Sequence, residues 1–217
     1  VKNPSYAWEF RNNTGTNDIL DIVNGQKADL SGGAYSTYEG MVFDGSDDYI
    51  ELDPWEFGGE AFSFETYLKI ESFDNDTSVY FRIFHFVDES DDDTNANKVV
   101  FGNITNTTIS QFKTSNATNA TWSTIRKEDF FPSIPEDYKQ KIWIHVIGTV
   151  DINGIMRLYK NGSFDASGTG YLPLFLTRTN HYIGRSNWST NEYFNGTIAY
   201  FRWWDGTALS ADEVATL

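Results

Sequence analysis

The segment Phe62–Ile70 constrains the fold of this chain more than any other part of the sequence. Apolar side chains recur on alternate residues of FSFETYLKI, and mainly polar side chains stand between them. Successive side chains of a β-strand point to opposite faces, whereas a helix would need a period near 3.6 residues. The segment therefore predicts a strand with one face in a hydrophobic core.

Short runs of the same kind recur along the whole chain and are separated by Gly, Asn, Asp and Pro. The 17 Phe and 12 Tyr residues favour pleated, half-buried surfaces. Asn-Gly pairs at 153–154, 161–162 and 195–196 predict tight hairpin turns. Many short strands with frequent turn signals predict an all-β fold, either a sandwich or a barrel.

Two polar segments and the C-terminus complete the predicted organisation. Residues 88–97 form an acidic insert, and residues 116–138 are expected to form a long surface loop. Ser210 and Glu213 form a capping box, which predicts one helical turn at the end of the chain. Neither a linker nor an internal repeat divides the sequence, so residues 1–217 are predicted to be one domain of a larger extracellular protein.

Several motifs together resemble the laminin G-like domains of the concanavalin A-like lectin/glucanase superfamily, which also includes the pentraxins. In chain order they are AWEF at 7–10, MVFDGSDDYI at 41–50, FSFETYL at 62–68, WIHV at 143–146, LYKNG at 158–162, YIGR at 182–185, FNGTI at 194–198 and ALSADEV at 208–214. The resemblance covers nearly the whole chain. It implies a jelly-roll β-sandwich of two curved antiparallel sheets, with the first and last strands adjacent.

The superfamily also contains glucanases and polysaccharide lyases, so a catalytic site has to be considered. A retaining glycosidase needs two carboxylates about 5 Å apart, and no strand of this sequence offers such a pair. The histidines His85, His145 and His181 are separated and are interpreted as structural residues of the sheets. We therefore predict a protein that is not an enzyme.

Acidic residues around one predicted turn suggest calcium. Asp44, Asp47 and Asp48 surround a glycine, and Asp21 could join them if the first loop folds back. Calcium prefers six to eight oxygen ligands of this kind. The alternative is that these side chains only stabilise turns, which Asp commonly does.

The charge balance restricts the possible partners. The chain has 16 basic and 31 acidic residues, a formal net charge of −15, and its basic residues are scattered along the sequence. Such a chain is expected to be repelled by nucleic acids and anionic membranes. No apolar stretch approaches the about 18–20 residues that cross a bilayer, so membrane insertion by this segment is not expected.

Aromatic side chains are the candidate ligand contacts, because flat sugar faces pack on aromatic rings. Trp188, Trp203 and Trp204 are the candidates, and the adjacent pair is expected to point to opposite faces of a strand. The leading hypothesis is an extracellular recognition or adhesion module that binds glycans or proteins. The alternative is a structural domain of a surface assembly that contacts neighbouring domains or copies of itself.

Sequons for N-glycosylation are the strongest indication of the cellular compartment. Random placement of the same residues would give roughly three Asn-x-Ser/Thr sequons. The chain has nine, at Asn12, Asn75, Asn103, Asn106, Asn116, Asn119, Asn161, Asn187 and Asn195. The excess predicts a secreted or cell-surface glycoprotein of a eukaryotic-type secretory pathway.

Glycopeptide mass spectrometry of the protein from its native secretory source tests this prediction. We expect most of the nine sequons to carry glycans, because surface loops rich in Asn and Thr are accessible to the transferase. If most sites are unmodified, the excess of sequons reflects loop composition alone.

Overall fold

The computed structural model describes residues 1–12, 18–71, 80–88, 97–104, 107–116, 122–132, 142–188 and 192–217. The predicted all-β class is confirmed, because the described residues form strands and one short C-terminal helix. No helix in the described part of the chain has the length and apolar character needed to span a membrane.

The strands are numbered in chain order. They are β1 (Tyr6–Glu9), β2 (Asp18–Leu20), β3 (Lys27–Ser31), β4 (Tyr35–Ser36), β5 (Met41–Asp44), β6 (Tyr49–Leu52), β7 (Trp55–Phe57), β8 (Phe62–Ile70), β9 (Arg82–Val87), β10 (Lys98–Asn103), β11 (Ser110–Ser115), β12 (Ser123–Lys127), β13 (Trp143–Val150), β14 (Ile155–Lys160), β15 (Ser163–Thr169), β16 (Leu176–Arg178), β17 (Asn180–Ile183) and β18 (Asn195–Asp205). The helix α1 spans Ala211–Val214 and begins with the predicted capping box of Ser210 and Glu213.

Two large antiparallel sheets form the sandwich. The first sheet has the order β15-β14-β13-β8-β18-β5-β4, and β1 also pairs with β18. The second sheet has the order β12-β11-β10-β9-β17-β6-β3-β2, and β16 pairs with β7 in a small third sheet. Pairing of β1 with β18 places the first and last strands side by side, as the resemblance implied.

Aromatic rings from both sheets fill the space between them. Phe64 of β8 contacts Phe84 of β9 and Phe112 of β11, with ring centroids 4.8 and 5.2 Å apart. Trp203 of β18 stacks on Phe62 and contacts Phe86 of the second sheet. Large buried rings of this kind dominate the energy of a core, which accounts for the alternation seen in Phe62–Ile70.

The adjacent tryptophans of β18 do point to opposite faces, but both are buried. Trp203 lies in the main core, and Trp204 lies on the other face of the first sheet under the C-terminal segment, against Leu209 and Val214. The indole Nε1–H of Trp204 donates to the carbonyl of Lys2. The prediction that these two rings contact a ligand is therefore wrong, because the chain ends cover the outward ring.

Two local predictions also differ from the structure. Asn195 and Gly196 begin strand β18 and form no turn; a Cβ on Gly196 would lie 2.3 Å from the carbonyl oxygen of Lys69, so the glycine permits close strand contact. Strand β12 lies inside the predicted loop 116–138. By contrast, Asn161 and Gly162 form the predicted two-residue hairpin between β14 and β15, with φ angles of 51° and 76°.

Gly148 of β13 shows how closely the core is packed. It lies opposite Phe64 in the strand register, and a Cβ at this position would approach the Phe64 ring to 2.1 Å. We expect Gly148→Ala to lower the free energy of unfolding by about 1–3 kcal/mol through overpacking. Urea unfolding of the purified chain measures the change.

Gly168→Ala is the matched control, because its Cβ would lie 3.5 Å from Ile125, an ordinary van der Waals contact. This substitution should leave stability unchanged or raise it slightly, since alanine restricts the unfolded chain. Equal effects of the two substitutions would contradict the proposed packing of Phe64 against Gly148.

Candidate functional site

The outer face of the second sheet carries polar side chains at its centre. In the strand register His85 of β9 lies opposite Val100 of β10, which lies opposite Lys113 of β11. Because side chains alternate along a strand, the neighbouring residues Phe84, Phe101 and Phe112 point into the core. The row of His85, Val100 and Lys113 therefore faces away from the first sheet.

Two tryptophans and two lysines meet on this face. The rings of Trp122 and Trp188 lie 5.5 Å apart. The Lys98 ammonium lies 4.4 Å from the centre of the Trp122 ring and 4.9 Å from that of Trp188, and the Lys113 ammonium lies 4.7 Å from Trp122. Ammonium groups at these distances are attracted to the faces of aromatic rings. We call His85, Lys98, Lys113, Trp122 and Trp188 the tryptophan–lysine cluster.

His85 is fully buried within this cluster, and its ring lies 4.5 Å from that of Trp188. Its Nδ1 accepts a hydrogen bond from the backbone N–H of Asn187, so the neutral ring carries its proton on Nε2. Burial lowers the pKa of His85 well below its ordinary value, and the charges of nearby cations, Arg82 and Lys98 first among them, lower it further. At neutral pH the residue is thus an uncharged hydrogen-bond donor.

Buried polar atoms of His85 and Gln111 on this face have no hydrogen-bond partner among the described residues. One is Nε2 of His85, and the other is Oε1 of Gln111, which is two residues before Lys113 on β11. A buried polar group without a partner costs about 1–3 kcal/mol, so such groups usually mark a place where water or a ligand binds. The cluster therefore offers aromatic surface beside one unused donor, the Nε2–H of His85.

Arg82 supports the cluster from the edge. Its guanidinium lies 5.4 Å from the Trp188 ring and is paired with Glu192 at 3.2 Å. It also donates to the carbonyl of Asn103. These contacts connect β9 to the segment before β18 and hold the loop that carries Trp188.

Sequence reasoning identified only Trp188 of this cluster. The basic residues are scattered along the sequence, but Lys98 and Lys113 lie on neighbouring strands and meet over the same ring. Trp122 lies within the predicted loop 116–138, just before β12, and His85 is interpreted from the sequence as a structural residue of a sheet. The alternation of Lys98 and Val100 with core residues on β10 was the available signal.

The outer face of the first sheet also carries aromatic rings, but its charged groups are paired with one another. Trp143 stacks on Tyr67 at 4.7 Å. Buried Glu65 accepts hydrogen bonds from the Tyr200 hydroxyl at 3.0 Å and Arg202 at 3.1 Å, and its Oε1 lies 2.7 Å from Nε2 of His145. Burial would raise the pKa of Glu65, but these partners outweigh it and lower the pKa.

This arrangement ties β8, β13 and β18 together, and gives His145 the structural contact expected for it. We therefore regard the second sheet, where Nε2 of His85 lies beside two tryptophan rings, as the better candidate for ligand binding.

The predicted calcium ligands are only partly brought together. Carboxylate oxygens of Asp44, Asp47 and Asp48 lie within 4.8 Å of one another. Buried Asp48 already accepts hydrogen bonds from the backbone N–H groups of Gly33 and Asp44. Asp21 does not belong to this group among the described residues. Its carboxylate instead caps its own loop and accepts from the N–H groups of Ala7 and Asn24.

The sequon asparagines occupy different environments. Asn12 and Asn161 are exposed, whereas Asn116, Asn187 and Asn195 are half-buried. Asn103 is buried, and its side-chain oxygen accepts a hydrogen bond from the backbone N–H of Phe81, so this side chain is not exposed to solvent in the folded chain. Three sites lie outside the described residues: Asn75, Asn106 and Asn119.

Comparison with solved structures identifies proteins of the same fold. The binding domain of botulinum neurotoxin serotype D has 14% sequence identity and a TM-score of 0.70, covering 98% of this chain and 50% of that one. The type G receptor binding domain has 16% identity and a TM-score of 0.67, covering 99% and 50%. A serotype D domain in complex with N-acetylneuraminic acid has 14% identity and a TM-score of 0.71, covering 98% and 50%.

The chain thus spans about half the length of these toxin domains. Because the sequence identities are low, the comparison establishes a shared fold and nothing about function. No curated protein sequence matches the chain. A family model, Laminin_G_3 of the concanavalin A-like lectin/glucanases superfamily, matches residues 44–215, which include strands β6 to β18 and the C-terminal helix. The chain belongs to this laminin G-like family.

Proposed function

We propose that the chain is a non-catalytic extracellular recognition module that binds glycans through the tryptophan–lysine cluster. The observation that carries the proposal is the position of the unpartnered Nε2–H of His85 beside the rings of Trp122 and Trp188. An aromatic ring can pack against the C–H face of a sugar, while a buried donor binds one of its oxygens. Such sites are mainly apolar with a few placed polar groups.

The family and the structural neighbours support binding rather than catalysis. The neurotoxin domains are described as receptor or ligand binding domains, and one of them is bound to a sugar. Exposed sequons such as Asn12 and Asn161 support an extracellular setting.

Trp188→Ala tests the site directly. We expect binding to a glycan array, and to each glycan then titrated in solution, to weaken about two- to tenfold, because one aromatic contact contributes about 0.5–1.5 kcal/mol. Isothermal titration calorimetry gives the dissociation constants. Circular dichroism confirms that the variant is folded.

Trp143→Ala is the matched control, because that ring lies on the outer face of the first sheet and stacks on Tyr67. Its binding should equal that of the wild type. Loss of binding in Trp143→Ala alone would place the site on the first sheet, and unchanged binding in both variants would refute a role for the cluster.

We also propose that the turn of Asp44, Asp47 and Asp48 binds calcium weakly. Three carboxylates within 4.8 Å supply hard oxygen ligands, and an oxygen that accepts one hydrogen bond can still coordinate a cation. In this role calcium would join β5 to the start of β6.

Thermal unfolding with millimolar calcium and then with excess chelator measures this binding. A ligand that binds only the folded chain raises the melting temperature by mass action, so chelation should lower it. Asp47→Asn should remove the difference between the two conditions. Identical melting curves with and without chelator would show that the three carboxylates only stabilise their turn.

A further inference from the structure

A groove of about 510 Å³ lies on the outer face of the first sheet, near the start of β18. The strand register brings Tyr35 of β4, Val42 of β5 and Thr197 of β18 side by side, and all three line the groove. Asn195 lies two residues before Thr197 on the same strand and lines the groove as well. The groove therefore contains both the asparagine and the threonine of one sequon.

The turn between β4 and β5 forms a wall of this groove. The hydroxyl oxygen of Thr37 accepts hydrogen bonds from the backbone N–H groups of Glu39 and Gly40, and the Glu39 carboxylate is paired with Lys69 of β8 at 2.7 Å. These contacts hold the turn on the sheet. They also fix Tyr38 beside the groove, where its side chain is 76% exposed and that of Tyr35 is 58% exposed.

The side chain of Asn195 is held in a way that leaves room for a glycan. Its Nδ2 donates a hydrogen bond to the carbonyl of Asp44 at 2.9 Å. A side-chain amide has two N–H bonds, and N-glycosylation replaces only one of them. The contact with Asp44 can therefore persist in the modified residue and fix the direction of its first sugar. Asn161, by contrast, is exposed at the tip of a hairpin, where a glycan extends into solvent.

We propose that a glycan on Asn195 folds back into this groove, where its first sugars pack against Tyr35 and Tyr38 and become part of the folded structure. The C–H face of N-acetylglucosamine can pack on a tyrosine ring, and the carboxylates of Glu39 and Asp44 can accept hydrogen bonds from its hydroxyl groups. A groove of this volume is large enough for a ligand of sugar size.

The inference goes beyond the sequence, which predicts nine sequons and does not distinguish between them. It rests on the secretory setting of the proposed function and is independent of the tryptophan–lysine cluster. A groove that is filled by the chain's own glycan is closed to other ligands, so this part of the first sheet would have a structural role.

Thermal unfolding of two forms of the chain measures the contribution of the glycan. One form is secreted by a eukaryotic cell line, and the other is made in bacteria, which leave the sequons unmodified; the chain has no cysteine, so neither form needs disulfides. We expect Asn195→Gln to lower the melting temperature of the secreted form by about 2–4 °C more than that of the bacterial form, because only the secreted form also loses sugar contacts. Chelator is present throughout, so that calcium at Asp44 does not contribute. Asn161→Gln is the matched control and should change both forms equally.

Tyr38→Ala tests the contact that is proposed for the sugar. Because the ring is exposed, its removal should leave the bacterial form unchanged and lower the melting temperature of the secreted form by about 2–4 °C. Phe164→Ala removes a similarly exposed ring from β15, far from any proposed sugar contact, and should affect both forms equally.

Enzymatic removal of glycans from the folded, secreted chain gives a second readout that does not depend on the bacterial form. With each rate divided by the rate in the unfolded chain, we expect peptide N-glycosidase to release the Asn195 glycan at least about tenfold more slowly than the Asn161 glycan. Tyr38→Ala should reduce this difference.

Three results would overturn the inference: an unmodified Asn195 in the secreted chain, equal effects of Asn195→Gln on the two forms, or equal release of the two glycans. None of them bears on glycan binding by the tryptophan–lysine cluster, which Trp188→Ala tests separately.

Discussion

The interlocking of aromatic rings between the two sheets is the interaction on which the rest of the structure depends. Phe64 contacts rings on two strands of the second sheet, and Trp203 bridges to Phe86. Because side chains alternate along a strand, a ring that points into the core forces the next residue of the same strand to point outward. A shift of β9 by one residue would bury His85 in the core and expose Phe84 and Phe86.

Once the core fixes the strand register, the side chains on the two outer faces can have different roles. On the first sheet the C-terminal helix covers Trp204, and the buried charge of Glu65 is paired with Arg202. On the second sheet the outward groups gather cations around Trp122 and Trp188, and His85 retains an unused donor. The asymmetry between the faces is the physical reason for proposing a binding site on one and a structural role for the other.

Sequence patterns were sufficient for the fold but only partly for the site. Alternation in Phe62–Ile70 and the Asn161–Gly162 turn are local signals, so they predicted a strand and a hairpin that the structure contains. The cluster instead depends on which strands are neighbours: Lys98 and Lys113 meet because β10 pairs with β11. Burial of Trp204 depends on the chain end folding back over the sheet, which no local pattern encodes.

The central claim is that the outer face of the second sheet binds the ligand, and tryptophan indole N–H resonances test it most directly. The chain has seven tryptophans, distributed over the core and both outer faces. When a bound glycan is titrated into the labelled protein, the account predicts that the resonances of Trp122 and Trp188 shift, while those of buried Trp203 and Trp204 remain in place. A shift confined to Trp143, on the opposite sheet, would contradict the account.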